Sequence, residues 1–335
     1  MDARWSRPTP HTRRDLLASV GAVFTPFGTP AALRLQQSST FPRTGVFIEP
    51  EDGRTPLLDE IAAARSMITV HIYLLTDDTI RFALREAVDR GIAVRVLLEE
   101  HPFGGPGDQP ETFTWLAENG IDVRWSDPRF AYSHVKTMTV DATVALIMNL
   151  NLTEAAFTRN REIGIVTTDR VLVDEAIALF EADWNRGAEP APGPLVVSPQ
   201  DARRTVLSLV STATATLDLY LEVLRDETVI TSLIDAAARG VGVRAVLSPG
   251  DGVGEETLAT LLDHGIDVRW VTDLYVHAKL LLADGTAAMV GSQNLTTGSL
   301  DANREIGVLL TDEISLTRVA EVFDHDFRYG QPIIL

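Results

Sequence analysis

At 335 residues and 45% hydrophobic content, the chain is long enough for about two domains and too apolar for global disorder. Its formal charge of −18 repels polyanions, so duplex nucleic acid and strongly anionic membranes are poor partners for it. It has no cysteine, which excludes disulfides and thiolate chemistry, and no apolar run of about 18 residues, so no membrane-spanning helix is expected.

Residues 1–40 stand apart. Arg13-Arg14 precede a weakly apolar run to Phe24, followed by Pro, Gly and Ser. The paired arginine resembles a twin-arginine export signal, although no clear small-x-small cleavage site follows it. The other reading is a disordered basic tail. Location follows from the choice: export on the first reading, cytoplasm on the second.

A first lobe is expected over 41–190. Residues 57–66 read as a helix, 68–75 as a buried strand holding His71 and Tyr73, and 79–90 as an amphipathic helix stopped by Gly91. A strand at 92–98 runs into the Pro/Gly loop 101–108. That loop, with Phe103 as an apolar contact, reads as a lid, an interfacial loop or an ordinary connection. A helix at 111–119 and a strand at 121–125 follow, and the half closes with a helix over 171–184. Residues 185–199, rich in Pro, Gly and Ala, read as a connector.

The second lobe, 191–335, replays the order: helix 202–213, strand 216–221 with Tyr220, helix 228–239, strand 241–247, Gly-rich loop 248–254, helix 255–263 and a closing helix over 314–327. Tyr73 aligns with Tyr220 and His71 with Asp218. This reading places both tyrosines in the core or beneath the cleft and His71 in the core or the cleft wall, with His11, His101, His264 and His325 on surfaces or loops. Alternating strands and helices argue for an α/β fold: two duplicated lobes, each a mainly parallel sheet flanked by helices, related by a pseudo-twofold axis.

The duplication is sharpest around two polar clusters. His134, Lys136, Asp141, Asn151 and Glu162 recur as His277, Lys279, Asp284, Asn294 and Glu305 at a constant offset of 143 residues. Residues 280–290 read as a buried strand pair with a tight turn at Asp284-Gly285, so polar groups interrupt core strands, where leaving them unpaired is costly. Lys136 and Lys279 are the only lysines; the other 27 basic residues are arginine. Lysine is a compact point charge, so both positions call for a small cation in a tight space.

His and Lys at i and i+2 of a strand share a face. With an Asn at the turn opening the next helix, and a backbone amide there, they form a pocket of donors suited to an oxyanion or phosphate. Neither copy carries a metal-ligand cluster, and no cofactor is implied. Two such pockets meeting along one cleft place two histidines on one phosphorus, one attacking and the other protonating the leaving oxygen. Glu162 and Glu305 each accept a ring N–H and fix a tautomer.

The second cluster, His-x-Lys, four residues, Asp, six residues, Gly-Ser-x-Asn, resembles the signature of the phospholipase D superfamily, and the duplication resembles its two-motif members. The resemblance implies a metal-independent phosphodiesterase with a phosphohistidine intermediate. His134 and His277 are then the nucleophile and acid pair, with His134 the usual nucleophile. It also implies that Lys136, Lys279, Asn151, Asn294 and Ser292 hold non-bridging oxygens, with Asn149 as the phosphate-binding donor at the matching place in the first copy, and that Asp141 and Asp284 are structural.

One departure stands out: where the second copy has Gly291-Ser292, the first has Met148-Asn149, losing a glycine that lets backbone approach a ligand. The expected substrate is a phospholipid or another phosphodiester, hydrolysed or transferred to an alcohol by a monomer with transient membrane-surface contact. A nuclease of the same superfamily acting on short single strands, and a non-catalytic phosphate-binding relative, are the alternatives.

Overall fold

The computed structural model describes residues 45–333 apart from Gly105, Pro106, Asp108 and Asp251. The arginine pair, His11 and the expected export signal lie outside them. The first lobe runs β1 (Gly45–Glu49), α1 (Thr55–Ala63), β2 (Met67–Ile72), α2 (Asp78–Asp89), β3 (Ala93–Leu98), α3 (Gln109–Glu118), β4 (Asp122–Trp125), β5 (Lys136–Val140), β6 (Val144–Met148), α4 (Glu154–Thr158), β7 (Asn160–Thr167) and α5 (Arg170–Trp184). The second runs β8 (Leu195–Ser198), α6 (Ala202–Thr212), β9 (Thr216–Tyr220), α7 (Glu227–Ala238), β10 (Gly242–Leu247), α8 (Glu255–Asp263), β11 (Asp267–Trp270), β12 (Tyr275–Val276), β13 (Leu280–Ala283), β14 (Ala287–Gly291), α9 (Thr297–Asp301), β15 (Glu305–Leu310), α10 (Glu313–Tyr329) and β16 (Gln331–Pro332). Among the described residues no helix is long and apolar enough to cross a membrane.

The first sheet is ordered β1-β7-β6-β5-β2-β3-β4, and the second β16-β11-β10-β9-β13-β14-β15-β8. The duplicated α/β lobes are as expected, but the sheets are mixed rather than mainly parallel. Only β2-β3-β4 and β9-β10-β11 run parallel within each sheet's own strands; β5-β6-β7 and β13-β14-β15 are antiparallel meanders. The reason is local. The turns at Asp141 and Asp284, both at positive φ, fold each motif strand straight back on its successor, and a short turn permits only an antiparallel partner.

Strand alternation builds three large cores, beside a small cluster of Leu97, Phe180 and Trp184. Along β6, Val144, Leu146 and Met148 face a core beneath α1 and α2, while Ala145 and Ile147 face a central one. That central core is shared: Ile48, Ile163 and Ile165 of the first lobe pack with Leu280, Val290, Ile306 and Phe323 of the second. A third core, with Val206, Leu219 and Leu233, belongs to the second lobe. Each fully buried aliphatic side chain contributes about 1.5–3 kcal/mol, so the shared core fixes the two sheets as one unit.

Strand pairing also corrects one alignment. Ile72 pairs with Lys136 and Leu280 with Tyr220, so Lys279, which precedes Leu280, lies level with Leu221 as Lys136 does with Ile72. Tyr73 is therefore matched by Glu222, and His71 by Tyr220. The similar strings His71-Ile-Tyr73 and Asp218-Leu-Tyr220 are two residues out of structural register. Tyr220 is a core residue whose hydroxyl donates to Asp326 at 2.7 Å. Tyr73 instead lines the cleft described next.

Candidate active site

Two short runs cross between the lobes. Tyr275–Val276 pair in parallel with Asn160–Arg161 of the first sheet, and Ser133 makes the matching bridge to Arg304. The His134 N–H donates to the Arg304 carbonyl at 2.8 Å, and the His277 N–H to that of Arg161 at 3.2 Å. Each histidine is thereby laid alongside the Asn-Arg-Glu run of the opposite lobe.

The side chains follow. His134 Nδ1 lies 2.7 Å from Glu305 Oε2, and His277 Nδ1 lies 2.7 Å from Glu162 Oε2. Neither histidine uses the glutamate of its own copy. Both carboxylates are held in turn: Asn160 Nδ2 donates to Glu162 and Asn303 Nδ2 to Glu305, each at 3.0 Å, and the Ser299 hydroxyl also donates to Glu305. Burial alone would raise the Glu305 carboxyl, but His134 and Lys136 outweigh it and hold it below its ordinary value. A carboxylate accepts only, so it places the ring proton on Nδ1 and leaves Nε2 for chemistry.

His134, His277, Asn151 and Asn294 line one cleft of about 430 Å³, with Tyr73, Phe103 and Tyr132 on its wall. Phe103, 87% exposed, stands in that wall, and its N–H donates to the Tyr73 hydroxyl. Beneath the histidines lie the lysines. Lys136 Nζ donates to the His134 carbonyl at 2.9 Å and Lys279 Nζ to that of His277 at 2.7 Å. Lys136 is fully buried, 4.8 Å from the Tyr73 ring. Burial and the charge of Lys279 push it down to about 7. Burial also lowers His134, against the pull of Glu305.

Ser292 and Asn149 do not line the cleft. Both are buried behind it in matching roles: the Ile306 N–H donates to Ser292 Oγ at 3.1 Å and the Ile163 N–H to Asn149 Oδ1 at 2.8 Å. The expectation that they hold phosphate oxygens is corrected, because strand spacing turns them into the sheet. The backbone amide expected to join the donors is also spent, the Asn294 N–H donating to Ser299 Oγ at 2.9 Å. A Cβ on Gly291 would meet Gln293 Oε1 at 2.4 Å, whereas in the first lobe Met148 is the large residue, buried in the outer core. Register is unaffected, with Met148 opposite Gly164 as Gly291 is opposite Gly307.

Asp141 and Asp284 lie away from the cleft. Asp141 accepts from the N–H groups of Arg65, Ser66 and Met67 at 2.8–3.1 Å, and Asp284 from Thr214, Ala215 and Thr216 at 2.7–2.9 Å. Each ties a motif turn to the start of the neighbouring strand. His71 is a core residue, 2% exposed, with Nε2 2.6 Å from Ser133 Oγ; burial pushes it down to about 3, so the ring is neutral. His101, His264 and His325 are exposed.

Glu222 was not anticipated. Its Oε2 lies 2.6 Å from Lys279 Nζ and accepts from Asn294 Nδ2 at 3.0 Å, while Oε1 lies 3.6 Å from His277 Nε2. Burial would raise this carboxyl, but His277 and Lys279 override it and hold it far below its ordinary value.

The model of the family described as cardiolipin synthase, PLD-like domain, matches this chain twice, over residues 57–184 and 206–327, and the chain belongs to that family. It is 22% identical over 332 residues to cardiolipin synthase 1 of Bacillus cereus, an alignment covering 83% of this chain and 65% of that protein. It is 30% identical over 128 residues to the mitochondrial cardiolipin hydrolase of Xenopus laevis, covering 38% of this chain and 59% of that one. The chain thus spans under two thirds of the length of these curated relatives. Among solved structures, phosphatidylserine synthase from Haemophilus influenzae Rd KW20 aligns with TM-score 0.65 and 14% identity over 87% of each chain. Polyphosphate kinase from Porphyromonas gingivalis aligns with TM-score 0.68 and 18% identity, over 85% of this chain and 47% of that one. These likenesses establish the fold: two mixed sheets with flanking helices in duplicated lobes of phospholipase D type.

Proposed function

We propose that this family member moves a phosphatidyl group from one alcohol to another, or to water, through a phosphohistidine. His134 Nε2 attacks phosphorus, the bond from phosphorus to the headgroup oxygen breaks, and His277 gives that oxygen its proton. An incoming alcohol or water then loses its proton to His277, attacks phosphorus and frees His134. Lys136 and Asn151 steady the phosphoryl oxygens. The observation that carries this reading is the pair of imidazoles lining one cleft, each with Nδ1 bonded to a glutamate of the opposite lobe. Both half-sites come from one chain, so a monomer suffices.

Phosphatidyl transfer, with hydrolysis as the competing outcome, is favoured by the names of the relatives, several of which are synthases. The exposed Phe103 beside the histidines suits a lipid interface, and the net charge of −18 suits a nucleic acid poorly. The test incubates the protein with phosphatidylglycerol or phosphatidylcholine, in EDTA, with and without glycerol. Release of headgroup and formation of a new phosphatidyl alcohol support the reading. Cleavage of short single-stranded DNA with no action on lipid would move the assignment to a nuclease. Phosphate binding without turnover of any diester would make the protein a scaffold.

A further inference from the structure

The two half-sites carry the same histidine, lysine, asparagine and crossed glutamate, and they differ in charge where Tyr73 of the first is replaced by Glu222 in the second. In the first, Tyr73 lies 4.6 Å from the His134 ring and 4.8 Å from Lys136 Nζ, so the lysine is covered by an aromatic face and, among the described residues, feels Glu305 only through space with no carboxylate in ion-pair contact. In the second, a carboxylate already sits on Lys279 and Asn294 and reaches to 3.6 Å from His277 Nε2; Tyr275 hydrogen-bonds to it as well. Its seat is fixed from behind. A Cβ on Gly252 would fall 2.0 Å from the Glu222 carbonyl oxygen, so Gly252 packs backbone against backbone there, which only glycine allows.

The donors of the second half-site are thus spoken for by an anion belonging to the chain. A phosphodiester brings one negative charge, and like charges in a partly buried cleft repel strongly. We propose that Glu222 is the specificity-determining residue of the second half-site. The phosphoryl oxygens turn toward the Lys136–Asn151 side, and the alcohol portion of the substrate, leaving or arriving, lies against Glu222. That position rewards an alcohol carrying a second hydrogen-bond donor, a hydroxyl or an ammonium, and penalises one carrying another anion. The inference rests on the phosphatidyl-transfer reading for its substrates, but the resident carboxylate can be tested without it.

Two variants test it: Glu222→Gln keeps the volume and removes the charge, and Glu222→Asp keeps the charge and draws it back one methylene. The first measurement is binding of inorganic phosphate by calorimetry. Freed of its internal competitor, Glu222→Gln should bind phosphate about tenfold more tightly than wild type, with Glu222→Asp closer to wild type. The second is kcat/KM on phosphatidylglycerol, phosphatidylethanolamine, phosphatidylmethanol and phosphatidylserine. Wild type should prefer the first two over phosphatidylmethanol by about tenfold and discriminate further against phosphatidylserine, and Glu222→Gln should lose most of both preferences. Loss of the glycerol preference alone identifies a hydroxyl as the recognised donor; loss of the ethanolamine preference alone identifies an ammonium. Unchanged phosphate affinity together with an unchanged substrate ranking in Glu222→Gln would overturn the proposal while leaving phosphatidyl transfer standing. Tighter phosphate binding in a protein that turns over no lipid would do the reverse.

Discussion

In the first half-site a buried lysine lies under a tyrosine ring; in the second its counterpart lies under a carboxylate. Around this difference almost everything is shared. The histidines sit on the same carbonyl-bound lysines, the same Asn-Arg-Glu run crosses from the opposite lobe, and the same hairpin turns are pinned by Asp141 and Asp284. The duplication has kept its geometry and let its charge diverge. That divergence lets the cleft bind an unsymmetrical diester in one sense, whereas two identical half-sites would bind it in either.

The largest effects should erase the comparison altogether. His134→Ala and His277→Ala should each lower kcat by about 10⁴ or more, since one removes the nucleophile and the other the proton donor. Next come the crossed glutamates. Glu305→Gln and Glu162→Gln should each cost about 10²–10⁴ in kcat with little change in KM, because the amide orients the ring without supporting its charge. An effect under threefold from either, in steady-state assays, would remove the role of the carboxylate charge.

The lysines sharpen the comparison through stability. Lys279→Met leaves Glu222 a largely buried carboxylate without the ammonium that contacts it and should destabilise by about 2–4 kcal/mol at neutral pH. Lys136→Met removes a cation with no such partner and should stabilise by about 1–3 kcal/mol. The sign of its pH dependence follows from Lys136 being pushed down to about 7. Between that value and the ordinary lysine value near 10.5, the unfolded chain holds a proton the folded one lacks, so the native protein loses stability as pH falls. The gain from Lys136→Met should therefore be full below about pH 7 and vanish by about pH 10.5, as read from urea melts across that range. The smallest effect concerns what the halves share. Asp284→Asn should cost about 1 kcal/mol at neutral pH from weakened turn bonds. The Thr216 N–H and its neighbours hold Asp284 down to about 2, so this difference should disappear as pH falls through that value.

Much of this was legible in the chain itself. A fixed offset of 143 residues, the two lysines beside two repeated histidines and the Asn-Arg-Glu-Ile-Gly runs mark the reacting groups and the duplication. The crossing of the glutamates was not legible. Glu305 and His134 are 171 residues apart, and only the exchange of strand segments between the sheets brings them to 2.7 Å. The mixed sheets were half visible, since the tight turns at Asp141 and Asp284 already require antiparallel hairpins, whereas helix–strand alternation suggests parallel ones. Glu222 was hidden by the resemblance of His71-Ile-Tyr73 to Asp218-Leu-Tyr220. A better guide was present in the helix caps: Asp77 and Asp226 are 149 residues apart, as are Arg90 and Arg239. Carrying that offset back through the strand puts Tyr73 opposite Glu222. Ser292 and Asn149 look like ligands in sequence because a strand's two faces cannot be told apart without its neighbours.

The crossed orientation of the two histidines is tested most directly by mapping the covalent intermediate formed from bis(p-nitrophenyl) phosphate, whose leaving group needs no proton, after an alkaline quench. The account predicts the label on the peptide containing His134, retained in Glu162→Gln, which leaves His134 and its partner untouched, and lost in Glu305→Gln. A label on His277, or a label on His134 that survives Glu305→Gln and disappears with Glu162→Gln, would contradict it.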